Sequence, residues 1–256
     1  MRLVVLGSGT STGVPRIGND WGRCDSREPR NRRTRASILI EGDDGARLLV
    51  DTATDLRQQF LACGIDRLDA VFWSHDHADH CHGIDDLRPL RMARSGPIAG
   101  YAAGETVRRL RQRFGYVFAG QHGYPTIVEL ADLERVRICA GIGVTTCQMP
   151  HGPAQSTGFR FEQAGLSIGY ATDFSEVTDP MVRLFEDCTV LVVDALRREP
   201  HPTHPHLAMA LDLVARCRPR RAILTHLDKS MDYAELCDEL PAGIEPGYDG
   251  LEVTIG

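Results

Sequence analysis

Short runs rich in Val, Ile and Leu, bounded by Gly, Asp or Pro, recur along the whole chain. Runs of this kind are buried strands rather than helices. The pattern predicts strands at Leu3–Leu6, Ser37–Ile40, Arg47–Asp51, Ala70–Trp73, Val144–Met149, Ser156–Phe161, Leu166–Tyr170, Thr189–Asp194 and Arg221–Thr225. Helical stretches fall between some of them: Thr54–Cys63, with Thr54 as cap and Gly64 as stop, then Glu105–Phe114, Asp179–Phe185, His206–Arg216 and Tyr233–Leu240. Strands dominate, and no Pro/Gly/Ser-rich linker separates the two series of elements. The expectation is one α+β domain over residues 1–256 with two sheet-containing halves and no repeat of fixed short period.

The residues capable of chemistry sit where these strands end. Asp51 closes one run, His75 follows Val71-Phe72-Trp73-Ser74, and His151 follows Cys147-Gln148-Met149-Pro150. Asp173 follows Tyr170-Ala171-Thr172, Asp194 closes Val192-Val193, and His226 follows Leu224-Thr225. Loops at strand ends on a rigid scaffold are the usual home of active sites, so the repeated placement predicts one shared site.

Composition narrows the class. With 42% hydrophobic and 25% charged residues the chain has the make-up of a soluble globular protein, which excludes disorder. No apolar run approaches the ~20 residues of a membrane span, and no export leader is recognisable, so a cytoplasmic protein without a membrane partner is expected. A net charge of -6 argues against duplex nucleic acid as partner. The eight cysteines are scattered without a Cys-x-x-Cys pair and read as reduced thiols. A homodimer is the default oligomer for such an enzyme.

The strongest motif is His75-Asp76-His77-Ala78-Asp79-His80, His-x-His-x-Asp-His directly after a strand. Imidazole and carboxylate together suit zinc, manganese or iron. Three more strand-end residues complete a two-ion set. His75, His77 and His151 can hold one ion and Asp79, His80 and His226 the other, with the Asp173 carboxylate bridging. Two such ions ~3.5–4 Å apart activate a water and stabilise the attacking and leaving oxygens of displacement at phosphorus. Asp51 and Asp194 either orient bound imidazoles through their second nitrogen or cap loops. The Gly7–Gly13 segment is either a tight structural loop or a set of amides that approaches an anion, and its spacing is not a dinucleotide fingerprint. The basic run Arg27, Arg30, Arg32, Arg33 and Arg35 either draws in a phosphorylated substrate or is a solvated charged loop.

On these residues the chain resembles the metallo-β-lactamase-fold hydrolases. Gly7–Pro15, Pro29–Ser37, Leu48–Thr52, the His-x-His-x-Asp-His loop, Pro150–Gly152, Tyr170–Asp173 and Val192–Arg197 carry the likeness. It continues through His201–His204, Leu224–Leu227 and Gly247–Leu251. The opening loop, His-Pro-Thr-His and the tail make it most similar to the branch of the PhnP-type phosphoribosyl cyclic phosphodiesterases. The resemblance implies an αββα sandwich of two packed mixed sheets, two manganese or zinc ions on the ligands just given, and His204 as the acid that protonates the leaving alkoxide. A histidine has a pKa suited to that task. Asp79, beyond its place as a ligand, and His204 are therefore the residues assigned to catalysis.

The sequence departs from the branch at Gly18–Cys24, where a cysteine-rich patch for a structural zinc is reduced to Cys24, and Leu227-Asp228-Lys229 supplies no histidine. Four soft ligands close a structural zinc site. No third zinc is expected, and packing of Trp21 together with hydrogen bonds is expected to hold the loop. The expected activity is metal-dependent hydrolysis of a small cyclic phosphodiester of the ribose 1,2-cyclic phosphate type. The alternatives are thioester, lactone or lactam hydrolysis on the same metals, tRNA 3′ processing, and a metal-binding protein without catalysis.

Overall fold

The computed structural model describes residues 1–120 and 123–256, except for the side chain of Arg135. The first half runs β1 (Arg2–Gly7), β2 (Ser37–Glu41), β3 (Arg47–Val50), α1 (Leu56–Cys63), β4 (Ala70–Trp73), α2 (Ala78–Cys81), α3 (Arg88–Met92), β5 (Ile98–Ala102), α4 (Gly104–Arg113), α5 (Gly115–Ala119) and β6 (Val128–Asp132). The second runs β7 (Ile138–Cys139), β8 (Ile142–His151), β9 (Ala154–Gln163), β10 (Leu166–Ala171), α6 (Asp179–Phe185), β11 (Val190–Asp194), α7 (Leu207–Cys217), β12 (Arg221–Thr225), α8 (Tyr233–Glu239), β13 (Ile244–Pro246) and β14 (Leu251–Thr254).

Two seven-stranded sheets result, in the orders β14, β1, β2, β3, β4, β5, β6 and β13, β12, β11, β10, β9, β8, β7. Each is antiparallel on one side and parallel on the other: β3 to β6 pair in parallel, as do β10 to β13. Apolar side chains fill three layers. Leu3, Ile38, Ile40, Phe72, Phe159, Phe161, Tyr170 and Val192 lie between the sheets. Val4, Leu39, Leu49, Val71 and Trp73 pack outward under α1, α4 and α5, and Met149, Leu191, Val193 and Leu224 under α6, α7 and α8. Strands buried on both faces explain the unbroken Val/Ile/Leu runs of the sequence. The architecture is the αββα sandwich of the metallo-β-lactamase fold.

All nine predicted strands form. The five strands that the pattern does not reveal are short or half-exposed: β6 and β14 alternate buried with exposed residues, β5 carries Gly100 at its centre, and β7 and β13 span two and three residues. Thr54 does not cap α1. Its hydroxyl donates to the Ala78 carbonyl, the helix starts after Asp55, and the Asp55 carboxylate is taken by the backbone N–H and guanidinium of Arg35. Gly64 does stop the helix in the left-handed conformation. No helix among the described residues is long and apolar enough to cross a membrane. All eight cysteines are unpaired, five of them buried.

The glycine loop is a packing device. A Cβ at Gly7 would stand 2.0 Å from the Arg35 carbonyl oxygen and one at Gly9 2.9 Å from that of Thr34, so backbone contact requires glycine at both positions. The expected packing of Trp21 is not what anchors the neighbouring loop. Trp21 is only half-buried, with the Arg32 guanidinium 5.1 Å from its ring centre. The buried anchor is Arg33, 2% exposed, whose Nη1 donates to the Asp228 carbonyl (3.4 Å) and the Cys24 thiol (3.9 Å) and whose Nη2 donates to Asn31 Oδ1 (3.3 Å).

Phe72 sits at the centre of the inter-sheet layer, 5.2–5.9 Å from the rings of Tyr101, Phe159 and Phe161. Phe72→Ala is expected to cost about 3–5 kcal/mol and to lower the melting temperature followed by circular dichroism by roughly 10 °C. Leu61→Ala, at a side chain 68% exposed on α1, should leave it within about 1–2 °C.

Candidate metal centre

Both sheets deliver their polar residues at one end. From the first sheet come Asp51 after β3, then Ser74 and His75 after β4, with His77 at the N-terminus of α2 and Asp79 and His80 within it. From the second come His151 at the end of β8, Asp173 beyond β10, Asp194 closing β11, His204 in the loop before α7, and His226 after β12. A backbone bond from the Thr157 N–H to the Ser74 carbonyl (2.9 Å) ties the sheets together beside this meeting point.

Three of these residues turn the chain left-handed: Asp51 (φ 65°), Asp173 (φ 56°) and His226 (φ 58°). Such a conformation costs a residue with a side chain about 1–3 kcal/mol and persists only where the surroundings impose it. Here they do. The buried Ser37 hydroxyl bonds the Val50 and Asp51 carbonyls (3.0 and 2.8 Å), and the buried Ser156 hydroxyl bonds those of Thr172 and Asp173 (3.2 and 2.6 Å). The N–H of Leu227 bonds the Ser8 carbonyl, fixing the chain just after His226. The turns at Asp173 and His226 swing the side chain off the strand into the shared space, and the turn at Asp51 brings its carboxylate behind it, onto Ser74 and His80.

The donor atoms form two groups joined by one carboxylate. Asp173 Oδ2 lies 3.7 Å from His75 Nε2 and 3.5 Å from His151 Nε2, and the latter is 3.2 Å from His77 Nδ1. Asp173 Oδ1 lies 3.3 Å from His80 Nε2 and 3.6 Å from His226 Nε2, and Asp79 Oδ2 is 3.4 and 3.5 Å from those same nitrogens. All seven residues expected as ligands from the sequence are thus brought together with Asp173 between the two groups, and Asp194 and His204 lie close enough to Asp173 and His226 to form a third, overlapping set.

Their second nitrogens are held from behind. Asp51 accepts from the Ser74 N–H and hydroxyl (both 2.8 Å), and its Oδ2 takes His80 Nδ1 at 2.7 Å. Ser74 Oγ is 3.0 Å from His75 Nδ1, and the Thr203 carbonyl accepts from His151 Nδ1 at 2.7 Å. Each contact turns Nε2 into the cluster. Asp194 serves differently from Asp51: Oδ2 takes the Asp173 N–H (3.1 Å) and His204 Nδ1 (3.2 Å), while His226 Nδ1 is 3.7 Å from Oδ1. It orients His204 more closely than it does a ligand.

Ser37, Ser74, Ser156 and Thr203 are not singled out by sequence reasoning, though Ser37, Ser74 and Thr203 stand inside quoted motifs. Asp76, within the His-x-His-x-Asp-His loop, turns away to Arg109 and Arg113. The basic run is also accounted for elsewhere: Arg27 pairs with Asp25, Arg35 with Asp55, Arg30 lies over Tyr233 and Tyr248, and Arg33 is buried.

Electrostatically the cluster is built for added positive charge. Burial opposes protonation of His80, yet Asp173, Asp79 and Asp51 raise its pKa well above the usual value; His226 is likewise raised to about 9, chiefly by Asp173 and Asp194 against burial. Burial would raise Asp79 and Asp173, but the neighbouring imidazolium charges hold both well below the usual carboxylate range. His75, facing mostly other histidines, is lowered by burial and by the charge on His80. Buried His75 Nε2 and His80 Nε2 have no hydrogen-bond partner. Donor atoms about 2.1 Å from a common tetrahedral ion stand roughly 3.4 Å apart, the spacing found here. Nitrogen and carboxylate donors with orphaned lone pairs at these separations fit two divalent cations.

Residues 46–227 match the family model described as the beta-lactamase superfamily domain. The chain belongs to the β-lactamase superfamily. It is 36% identical, with a TM-score of 0.89 and coverage of 100% of this chain and 98% of the other, to a crystal structure reported as a new diphosphatase from the PhnP family. It is 34% identical over 261 residues to an octanoyltransferase of Porphyromonas gingivalis, covering 100% of this chain and 52% of that protein; the chain spans about half the length of this relative. Zn2+-bound PqqB from Methylobacterium extorquens shares the fold at 20% identity and a TM-score of 0.80, each chain being covered fully. Superfamily membership and the His/Asp cluster agree on one site at the junction of the sheets.

Asp51→Asn keeps the size of a side chain that holds His80 but puts an amide where the carboxylate accepted three bonds. Metal affinity is expected to fall about 10–100-fold in chelator competition, with the far-ultraviolet circular dichroism unchanged. Unchanged affinity would mean that Asp51 only shapes the turn.

Proposed function

We propose that this β-lactamase-superfamily protein hydrolyses a small phosphodiester, foremost a cyclic one of the ribose 1,2-cyclic phosphate type. Two divalent cations on the ligands above would supply, when bound, a nucleophile at neutral pH and neutralisation of charge developing at phosphorus. His75, His77 and His151 would hold one and Asp79, His80 and His226 the other, with Asp173 shared.

The observation that carries the reading is the place of His204. Its ring stacks on His226 (4.9 Å, 15°) and meets His151 edge-on (4.8 Å), while Nδ1 is spent on Asp194. An Asp–His pair of this kind fixes the tautomer and leaves Nε2 to hold and release a proton at the mouth of the cluster. An alkoxide expelled from phosphorus needs that proton. A thioester expels a thiolate, which needs it far less, so the phosphodiester reading gives His204 a task that the thioester reading does not.

The 36% likeness to a PhnP-family diphosphatase supports chemistry at phosphorus. The octanoyltransferase name belongs to a relative almost twice as long, and acyl transfer does not call for the paired donor groups seen here. The acidic chain favours a small substrate over duplex nucleic acid. Manganese, zinc and iron all suit nitrogen and carboxylate donors, and two ions per chain with no third, structural zinc is the stoichiometry proposed.

Protein stripped of metal and reloaded with manganese should hydrolyse bis(p-nitrophenyl) phosphate. His204→Ala should lower kcat about 10²–10⁴-fold for a diester with an alkyl leaving group and much less for the nitrophenolate, which departs unprotonated. Thioester or lactam turnover without diester turnover would overturn the substrate class.

A further inference from the structure

The inner faces of β8 and β9 change character as they approach the metal centre. Along β8 the inward residues are Ile142, Val144, Thr146 and Gln148; along β9, in the opposite direction, they are Phe161, Phe159, Thr157 and Gln155. The cross-strand pairs are Val144 with Phe161, Thr146 with Phe159, Gln148 with Thr157 and Pro150 with Gln155. The apolar series belongs to the core between the sheets. The polar one does not, because neutral polar groups inside a sandwich cost free energy unless they are bonded or face solvent. There the sandwich parts into a cleft of about 610 Å³. Its far wall is the turn from β5 into α4 and the end of β6.

The cleft adjoins the metal centre on both sheets. On the second, Gln155 is one residue beyond the Ala154 that pairs with the ligand His151. On the first, Trp73 pairs with Ala102, so Ser74 and His75 leave the sheet beside Ala103 and Gly104 of the cleft wall.

The charged side chains of the described lining are three carboxylates, Glu105, Asp132 and Glu134, and one guanidinium, Arg137. Glu105 pairs with Arg108 and Arg109, and Asp132 accepts the Glu134 N–H. Arg137, the cation of the described lining, donates to the Glu134 and Val136 carbonyls. The rest of the described lining is neutral. Gln148 gives its amide N–H to Thr157 Oγ1 (3.2 Å), which leaves its carbonyl oxygen as an acceptor, and the exposed Gln155 and half-buried Thr146 add an amide and a hydroxyl. A pocket for a second phosphate would present a surplus of cations; the described lining sets Arg137 against three carboxylates and otherwise presents the donors and acceptors that bind hydroxyl groups.

Resting on the phosphodiesterase reading, we propose that this cleft binds the alcohol portion of the substrate and selects an uncharged, hydroxyl-rich group, a sugar or polyol, over a second phosphate. Gln148 and Gln155 are the specificity-determining residues. A diester with such an alcohol spans from the metal centre into the cleft, whereas a diphosphate would lay an anion against the carboxylates of Asp132 and Glu134.

The test compares the metal-loaded protein with Gln148→Ala, Gln155→Ala and the double variant. Its first arm is the ratio of kcat/KM for a ribose cyclic phosphate to that for bis(p-nitrophenyl) phosphate. The ratio should fall about tenfold in the double variant, since each neutral hydrogen bond contributes modestly. The second arm is calorimetric binding of ribose 5-phosphate and of inorganic phosphate: the unmodified protein should bind the sugar phosphate about tenfold more tightly, and the double variant should lose that margin. Equal loss on both diesters, an unchanged ratio, or equal binding of the two phosphates by the unmodified protein would overturn the cleft assignment. Tighter binding of inorganic diphosphate than of ribose 5-phosphate would do the same. Failure of the phosphodiesterase reading looks different: the unmodified protein turns over neither diester, and the calorimetric arm then decides the cleft alone.

Discussion

A carboxylate buried among imidazoles at the junction of two sheets is the constraint from which the rest of this molecule follows. Asp173 is 1% exposed, and its two oxygens face separate sets of nitrogens. An ionised carboxylate taken out of water is unfavourable by several kcal/mol unless opposite charge and hydrogen bonds surround it. The surroundings here are His75 and His151 on one oxygen, His80 and His226 on the other, and Asp194 on its backbone N–H. Those residues end or follow four different strands, β4, β8, β11 and β12. No single sheet can bring them to one point, so the junction of two parallel-edged sheets is a requirement of the charge arrangement as much as a way of burying Val, Ile and Leu.

The two halves answer that requirement with the same local device. In each, a strand ends in an Asp with positive φ, and a buried serine on the neighbouring strand bonds the carbonyls at the turn: Ser37 for Asp51, Ser156 for Asp173. Each sheet then continues through parallel strands whose ends supply further residues. The device is used for different ends. Asp51 faces back into its own sheet and anchors His80 and Ser74, while Asp173 faces the junction. Strain held by a buried hydroxyl at both turns makes the side-chain directions stiff, and stiffness is what fixed donor positions need.

How much of this was legible in the sequence follows from the same physics. Strands buried on both faces produce apolar runs that stand out, and ligand residues at their ends inherit a fixed relation to them. That is why the sequence alone places His75, His151, Asp173 and His226 together. The short outer strands β6, β7, β13 and β14 were not readable, because a two- to five-residue alternation has too few positions to distinguish from a loop. The supporting groups were hidden for another reason. The Thr203 carbonyl that fixes His151 is backbone, which no side-chain pattern encodes, and Ser37 and Ser156 act across strands whose register the sequence does not display. Arg33 was misplaced with its basic neighbours because a charge run is ordinarily solvated; its burial depends on Asn31, Cys24 and a carbonyl that is distant in sequence.

Arg33 also explains why an N-terminal loop that supplies no ligand matters to the site. It bonds the Asp228 carbonyl, two residues past His226, while the Ser8 carbonyl accepts the Leu227 N–H and Thr10 returns an N–H to Leu227. Ser8 is in turn fixed by Asp249, which accepts its N–H and hydroxyl and those of Thr34. The glycines at 7 and 9 let the strands approach closely enough for this to close. His226, the last ligand along the chain and one of the three left-handed positions, is thus held by the first loop and the tail together. A buried guanidinium bonded to a thiol and neutral oxygens is poorly compensated on its own. Its retention is understandable if what it stabilises is the position of His226, because a ligand that drifts would leave Asp79 and the facing oxygen of Asp173 without the positive charge that makes their burial tolerable.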